Sequence, residues 1–167
     1  MKFQKTLVYP VTVQFEDIDA GGVVHNPNYL KYYERARNNH LAESGILMSE
    51  LFKNNVALAL GEVNLKFVRP ALMDQKLFVL TRITSASKIA FRVDQAITNK
   101  EPSSTIDELG DDLSKVEGVI NLSQTKIICV DIKKIRPVRF PENLAIAMEI
   151  PSDTAGTEKS NVDLHSF

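Results

Sequence analysis

The spacing of apolar residues changes period twice along the chain. Val11, Val13 and Phe15 alternate with Thr12 and Gln14, the two-residue repeat of a half-buried strand, and predict a first strand over about Val8–Phe15. Pro10 inside it marks an edge strand or a strand start, because proline cannot donate to a ladder. The repeat then lengthens. Tyr29, Tyr33, Ala36 and His40 fall at i, i+4, i+7 and i+11, one face of a helix predicted from about Pro27 to Glu43. Asn26 suits its N-cap, Pro27 its first position and Gly45 its end. Ser49–Asn54 reads as a short helical piece or a loop. From Glu62 onward the period returns to two. Val63, Leu65 and Phe67 alternate with polar residues until Arg69-Pro70 stops the strand. Leu77–Ile83, Ile89–Ile97 and the longer Val119–Val130 follow as third, fourth and fifth strands, and Pro141–Met148 as a small terminal helix.

One strand, one long helix and then four strands joined by hairpin-like links predict an antiparallel sheet with the helix on one face, an α+β architecture. Residues 1–150 are expected to form one domain, followed by a flexible polar tail at 151–167. An insert at 100–117 interrupts the strands. There Thr105 and Glu108 form a capping box, and Ile106, Leu109, Leu113 and Val116 repeat with the spacing of a short amphipathic helix that Gly110 weakens. A decorated hairpin loop and a lid or partner surface are both open readings of it. A lone sheet with one helix leaves a face or an edge to cover, and dimerisation is one common answer.

Composition narrows the class. With 167 residues, 44% hydrophobic, the chain is long enough for a real core. A formal net charge of −1 gives no reason to expect nucleic acid. The single cysteine, Cys129, excludes an intrachain disulfide and sits in an apolar run that reads as core. No run is long enough to span a membrane and no secretory signal precedes the first strand, so a cytoplasmic location is expected.

The chemistry concentrates in FEDIDAGGVVHNPNYLKYYERAR, residues 15–37. Glu16, Asp17 and Asp19 precede a Gly21-Gly22 turn and then a helix start, whose free N–H groups favour negative charge on a ligand oxygen. A carboxylate beside an oxyanion-stabilising amide is the minimum equipment for cleaving an acyl bond. Neither a phosphate-binding glycine loop nor a G-x-S-x-G elbow is present. A metal site built from Glu16, Asp17, Asp19 and His25 is not expected, and Asp17 is read as structural, with Arg35 or Arg37 as its partner.

That segment, with NLKFVRPALMDQ at 64–75 and CVDIKKIRPVRFP at 129–141, resembles the hotdog-fold acyl-CoA thioesterases. It is similar to their 4-hydroxybenzoyl-CoA thioesterase branch, which includes the bacterial Tol-Pal-associated enzymes. The resemblance spans residues 8 to 142. It implies an antiparallel five-stranded sheet wrapped around one long central helix. It also implies subunits paired edge to edge as a homodimer or homotetramer, with active sites at the interface. It puts the catalytic carboxylate, nucleophile or general base, on Asp19, and the oxyanion-binding amide near Asn26, with Asn28 as a second candidate. His25 stands one position earlier than the histidine of many Tol-Pal-type relatives. It reads either as a pocket or water-orienting group or as an exposed loop residue. Pro27 is similar to the hydroxybenzoyl enzymes instead. Lys88, Lys134 and Arg136 are the candidates for the phosphates of coenzyme A, which enters as part of the substrate, so no separate cofactor is implied. Two alternatives stand beside hydrolysis: a non-catalytic acyl-CoA sensor or scaffold, and a hotdog dehydratase acting on acyl carrier protein substrates.

Overall fold

The computed structural model describes residues 5–102, 112–148 and 150. The expected tail, and residues 103–111 of the expected insert helix, lie outside them. The elements run β1 (Leu7–Thr12), α1 (Asn26–Glu43), α2 (Met48–Lys53), β2 (Val56–Phe67), β3 (Lys76–Ala86), β4 (Ala90–Thr98), β5 (Val119–Asp131), β6 (Arg136–Pro137) and α3 (Glu142–Ala147). Short 3-10 turns lie at Phe15–Asp17 and Leu113–Lys115.

All strand pairings are antiparallel, in the order β1-β3-β4-β5-β2, with the two-residue β6 on β5. The sheet packs around α1, whose Tyr29, Tyr32, Tyr33 and Ala36 are buried with Val13, Leu77, Val79, Ile97 and Ile120. This is the helix-in-sheet arrangement that the resemblance led one to expect. The tyrosine and alanine repeat was therefore a true core face, and β1 with its proline lies at one border of the sheet.

Three details differ from expectation. Among the five long strands, only β3–β4 and β4–β5 are successive neighbours. β2 crosses to the far border and pairs with β5 rather than with β3. β2 also starts seven residues before Val63, because Val56–Leu60 is a continuous apolar run without alternation. And α1 begins at Asn26, so His25 is its N-cap and Pro27 its second residue. The described end of the insert, Leu113–Lys115, is a 3-10 turn, and its Leu113 and Val116 cover Phe78, Leu80, Ala96 and Val119 on the sheet's other face.

The free border of β2 is long and apolar, with Leu60, Val63 and Phe67 exposed. A bulge interrupts its ladder between Leu60 and Glu62. Gly61 sits in that bulge, where a Cβ would lie 2.5 Å from Ile128 Cδ1.

Candidate active site

The turn before α1 is built by its own backbone. The Asp19 N–H donates to Val23 O at 2.9 Å, and Gly22 N–H donates to Asp19 O at 3.0 Å. Gly22 takes φ +77°, a conformation that favours glycine. The Asp19 side chain closes a smaller ring, accepting Gly21 N–H on Oδ1 at 2.7 Å, and a Cβ on Gly21 would crowd that oxygen. One carboxylate oxygen is thus anchored, while Oδ2 has no partner among the described residues. Asp19 is half-buried.

Asp17 has a different task. It is buried, its Oδ2 accepts Gln14 N–H at 2.9 Å, and its carbonyl accepts His25 N–H at 2.8 Å and Asn28 Nδ2 at 3.0 Å. These bonds tie the loop together, and among the described residues no arginine pairs with Asp17. Arg37 instead donates to Gln95 Oε1 at 2.7 Å, because it faces the sheet about three helical turns into α1.

The loop at 68–75, part of the second segment that carries the resemblance, completes the frame. Ala71 is fully buried; its carbonyl accepts Val24 N–H at 2.9 Å and its N–H donates to Tyr29 Oη at 3.1 Å. Burial raises the pKa of the Tyr29 phenol, the Ala71 bond lowers it and the charge on Asp19 raises it, so Asp19 lies within electrostatic reach of the first turn of α1. The Phe67 ring meets Tyr29 edge-on, 5.5 Å between centroids. Exposed Phe67, Val68, Leu72 and Met73 leave an uncovered apolar bank along this loop.

At the helix mouth, His25 and Asn26 are both exposed. The Asn26 N–H has no partner among the described residues, whereas Asn28 N–H donates to His25 O at 2.8 Å. Asn28 is therefore unavailable as a second oxyanion donor. Asp19, His25 and Asn26 all lie on the one turn-and-helix-mouth segment. Among the described residues no three His, Cys, Asp or Glu come together as metal ligands.

Lys88, Lys134 and Arg136 are exposed and lie together, but elsewhere. Lys88 O accepts Phe140 N–H at 3.0 Å, and Asp131 Oδ1 accepts Lys133 and Lys134 N–H, each at 2.9 Å. This is the end of the sheet opposite Asp19, since β3 begins opposite Thr12 and ends beside Lys88. Its 11 residues separate the two groups by about 30 Å. Cys129 is buried, with its thiol near Arg139 O at 3.7 Å and its pKa pushed up by burial to about 11, so it is not a nucleophile at neutral pH.

The family model of the thioesterase-like superfamily matches residues 13–148, from the end of β1 through α3. The chain belongs to that superfamily. It is 29% identical over 136 residues to the acyl-CoA thioester hydrolase YbgC of Escherichia coli O6:H1, covering 81% of this chain and 90% of the relative. It is 26% identical over 140 residues to the acyl-CoA thioesterase YbgC of Haemophilus influenzae, covering 83% and 91%. Among solved structures, the 1,4-dihydroxy-2-naphthoyl-CoA thioesterase Slr0204 from Synechocystis superposes with a TM-score of 0.73 at 22% identity, covering 87% of this chain and 97% of that one. The hotdog fold is thereby established. No helix among the described residues is long and apolar enough to cross a membrane.

Proposed function

We propose that this chain is a thioester hydrolase that cleaves an acyl-CoA to the free acid and coenzyme A. The observation that carries this is the Asp19 carboxylate, one oxygen fixed by Gly21 N–H and the other open, beside a helix mouth whose Asn26 N–H is unused. With the thioester carbonyl oxygen on that N–H, negative charge developing in the tetrahedral intermediate meets the positive end of α1. Asp19 takes a proton from the attacking water, or attacks the carbonyl carbon itself to form a mixed anhydride that water then hydrolyses to the free acid and the regenerated carboxylate. The thiolate of coenzyme A then leaves and is protonated by solvent. In this reading His25, the exposed N-cap of α1, orients the attacking water.

The separation of about 30 Å within one chain means that Lys88, Lys134 and Arg136 cannot serve the same subunit's Asp19. A second copy resolves this. Two β2 strands paired antiparallel about a two-fold axis would bring one copy's basic end beside the other's Asp19 turn. They would also cover Leu60, Val63 and Phe67. The working unit in this reading is a homodimer in which each site draws its carboxylate and its phosphate contacts from different subunits, in the cytoplasm where acyl-CoA is made.

A panel of acyl-CoA substrates followed by thiol release tests the reading, with Asp19→Asn as the decisive variant. We expect turnover to fall by about 100-fold or more with the melting temperature unchanged. Turnover within about tenfold of the parent would remove Asp19 from the mechanism. Acyl-CoA binding with no thiol released by the parent chain would favour the sensor alternative.

A further inference from the structure

A cavity of about 410 Å³ lies between α1 and the inner face of the sheet, away from the Asp19 turn. Its walls start at Leu30, one turn into α1, and run to Ser44 at the helix end. Leu41, Phe91, Val93, Ile127 and Met148 give it an apolar interior. The volume falls within the range of sites that hold small molecules.

Two polar side chains on its wall have hydrogen-bonding capacity to spare. Arg37 is half-buried, with the neutral Gln95 as its one hydrogen-bond partner among the described residues; burial lowers its pKa and the charge on Glu34 raises it. Gln95, only 1% exposed, is fixed in turn by Tyr33 O at 3.2 Å and Thr81 Oγ1 at 2.9 Å, so the guanidinium is held in place. His40 is 9% exposed, and neither ring nitrogen makes a hydrogen bond. Glu43 Oε2 lies 3.5 Å from its Nδ1 but outside hydrogen-bond geometry. Leaving a buried imidazole unsatisfied is costly, and a half-buried guanidinium with one neutral acceptor has donors to spare. The charged groups on the cavity wall are Lys5, Arg37 and Glu34, a net positive set in which Lys5 and Glu34 are exposed and Arg37 is half-buried.

We propose that this cavity binds an aliphatic monocarboxylate, with the carboxylate on Arg37 and His40 and the chain against Leu41, Phe91 and Val93. A guanidinium fork matches a carboxylate with two parallel hydrogen bonds, and a neutral imidazole supplies one more N–H donor. The apolar interior takes the chain. The site is distinct from the Asp19 turn and does not depend on what happens there.

Calorimetric titration of the full chain with octanoate and with 1-octanol tests the proposal. Octanoate should bind at least about tenfold tighter than octanol, the difference that a charge-assisted contact makes. Arg37→Met should erase that preference, Ala147→Phe should weaken both ligands by filling the cavity from α3, and Asp19→Asn should change neither. No octanoate binding, or equal affinity for acid and alcohol, overturns the proposal. Octanoate binding lost in Asp19→Asn and kept in Arg37→Met also overturns it, by placing the acid at the turn while leaving thioester hydrolysis untouched. If Arg37→Met does not fold, Ala147→Phe decides: unchanged octanoate affinity there is fatal to the proposal.

Discussion

The two halves of α1 meet the sheet in different ways. At the first half, aromatic side chains fill the space: Tyr29, Tyr32 and Tyr33 are each 2% exposed or less, and Tyr29 and Tyr32 pack edge to face with centroids 6.3 Å apart. Tyr29 and Tyr33 also reach polar partners, Ala71 N–H and Asn121 Oδ1. At the second half the same helix leans on Leu41, Phe91 and Val93 around a cavity, with His40 unsatisfied. The solid half lies under the Asp19 turn and holds a carboxylate and a helix mouth at fixed separation. The hollow half has room for a molecule. A catalytic scaffold needs the first property and a ligand chamber the second.

Matched truncations test this contrast most strongly. Leu77→Ala in the solid half should cost about 3–4 kcal/mol, and Leu41→Ala beside the cavity about 2 kcal/mol, because a wall that already borders open volume loses fewer contacts. Urea unfolding of both variants measures the difference; equal costs would erase the distinction. A smaller effect is expected from Tyr33→Phe, which removes the 2.8 Å bond to Asn121 and should cost about 1–2 kcal/mol in the same measurement.

The smallest effect lies in the hollow half. Burial lowers the pKa of His40 below its ordinary 6.5, against the opposing pull of Glu43. The unfolded chain therefore binds the proton more readily than the folded one as pH falls below about 6.5. Stability contributed by neutral His40 is complete above that pH and is lost between the unfolded and the folded pKa. Melting temperatures taken from pH 7 down to 5 should fall, and His40→Phe should flatten that slope. An unchanged slope would show that His40 does not carry it.

Much of this was legible in the letters. The Tyr29-Tyr33-Ala36 repeat fixed which face of α1 is buried, and of the two readings of Pro10, edge strand or strand start, β1 at the sheet's border fits the first. Asp19, His25 and Asn26 share one segment, so their closeness is nearly a matter of covalent reach. The cross-sheet order was not legible. Nothing in the spacing of Val63, Leu65 and Phe67 says that β2 pairs with β5 instead of β3, because period reports a face and not a neighbour. Arg37 belongs to the same class. Its acceptor Gln95 lies 58 residues away, and no local rule connects them. The distance of Lys88, Lys134 and Arg136 from Asp19 emerges only once β3 is seen to carry the chain from one end of the sheet to the other.

The kink at Gly61 has a bearing on how the molecule keeps company with others. A straight twelve-residue border of open donors and acceptors would accept almost any extended peptide and invite endless stacking. Because the ladder is offset in the middle, the border presents two short registers instead of one long one. An arbitrary strand can satisfy one segment and then falls out of step on the other, which is a built-in guard against fibril growth.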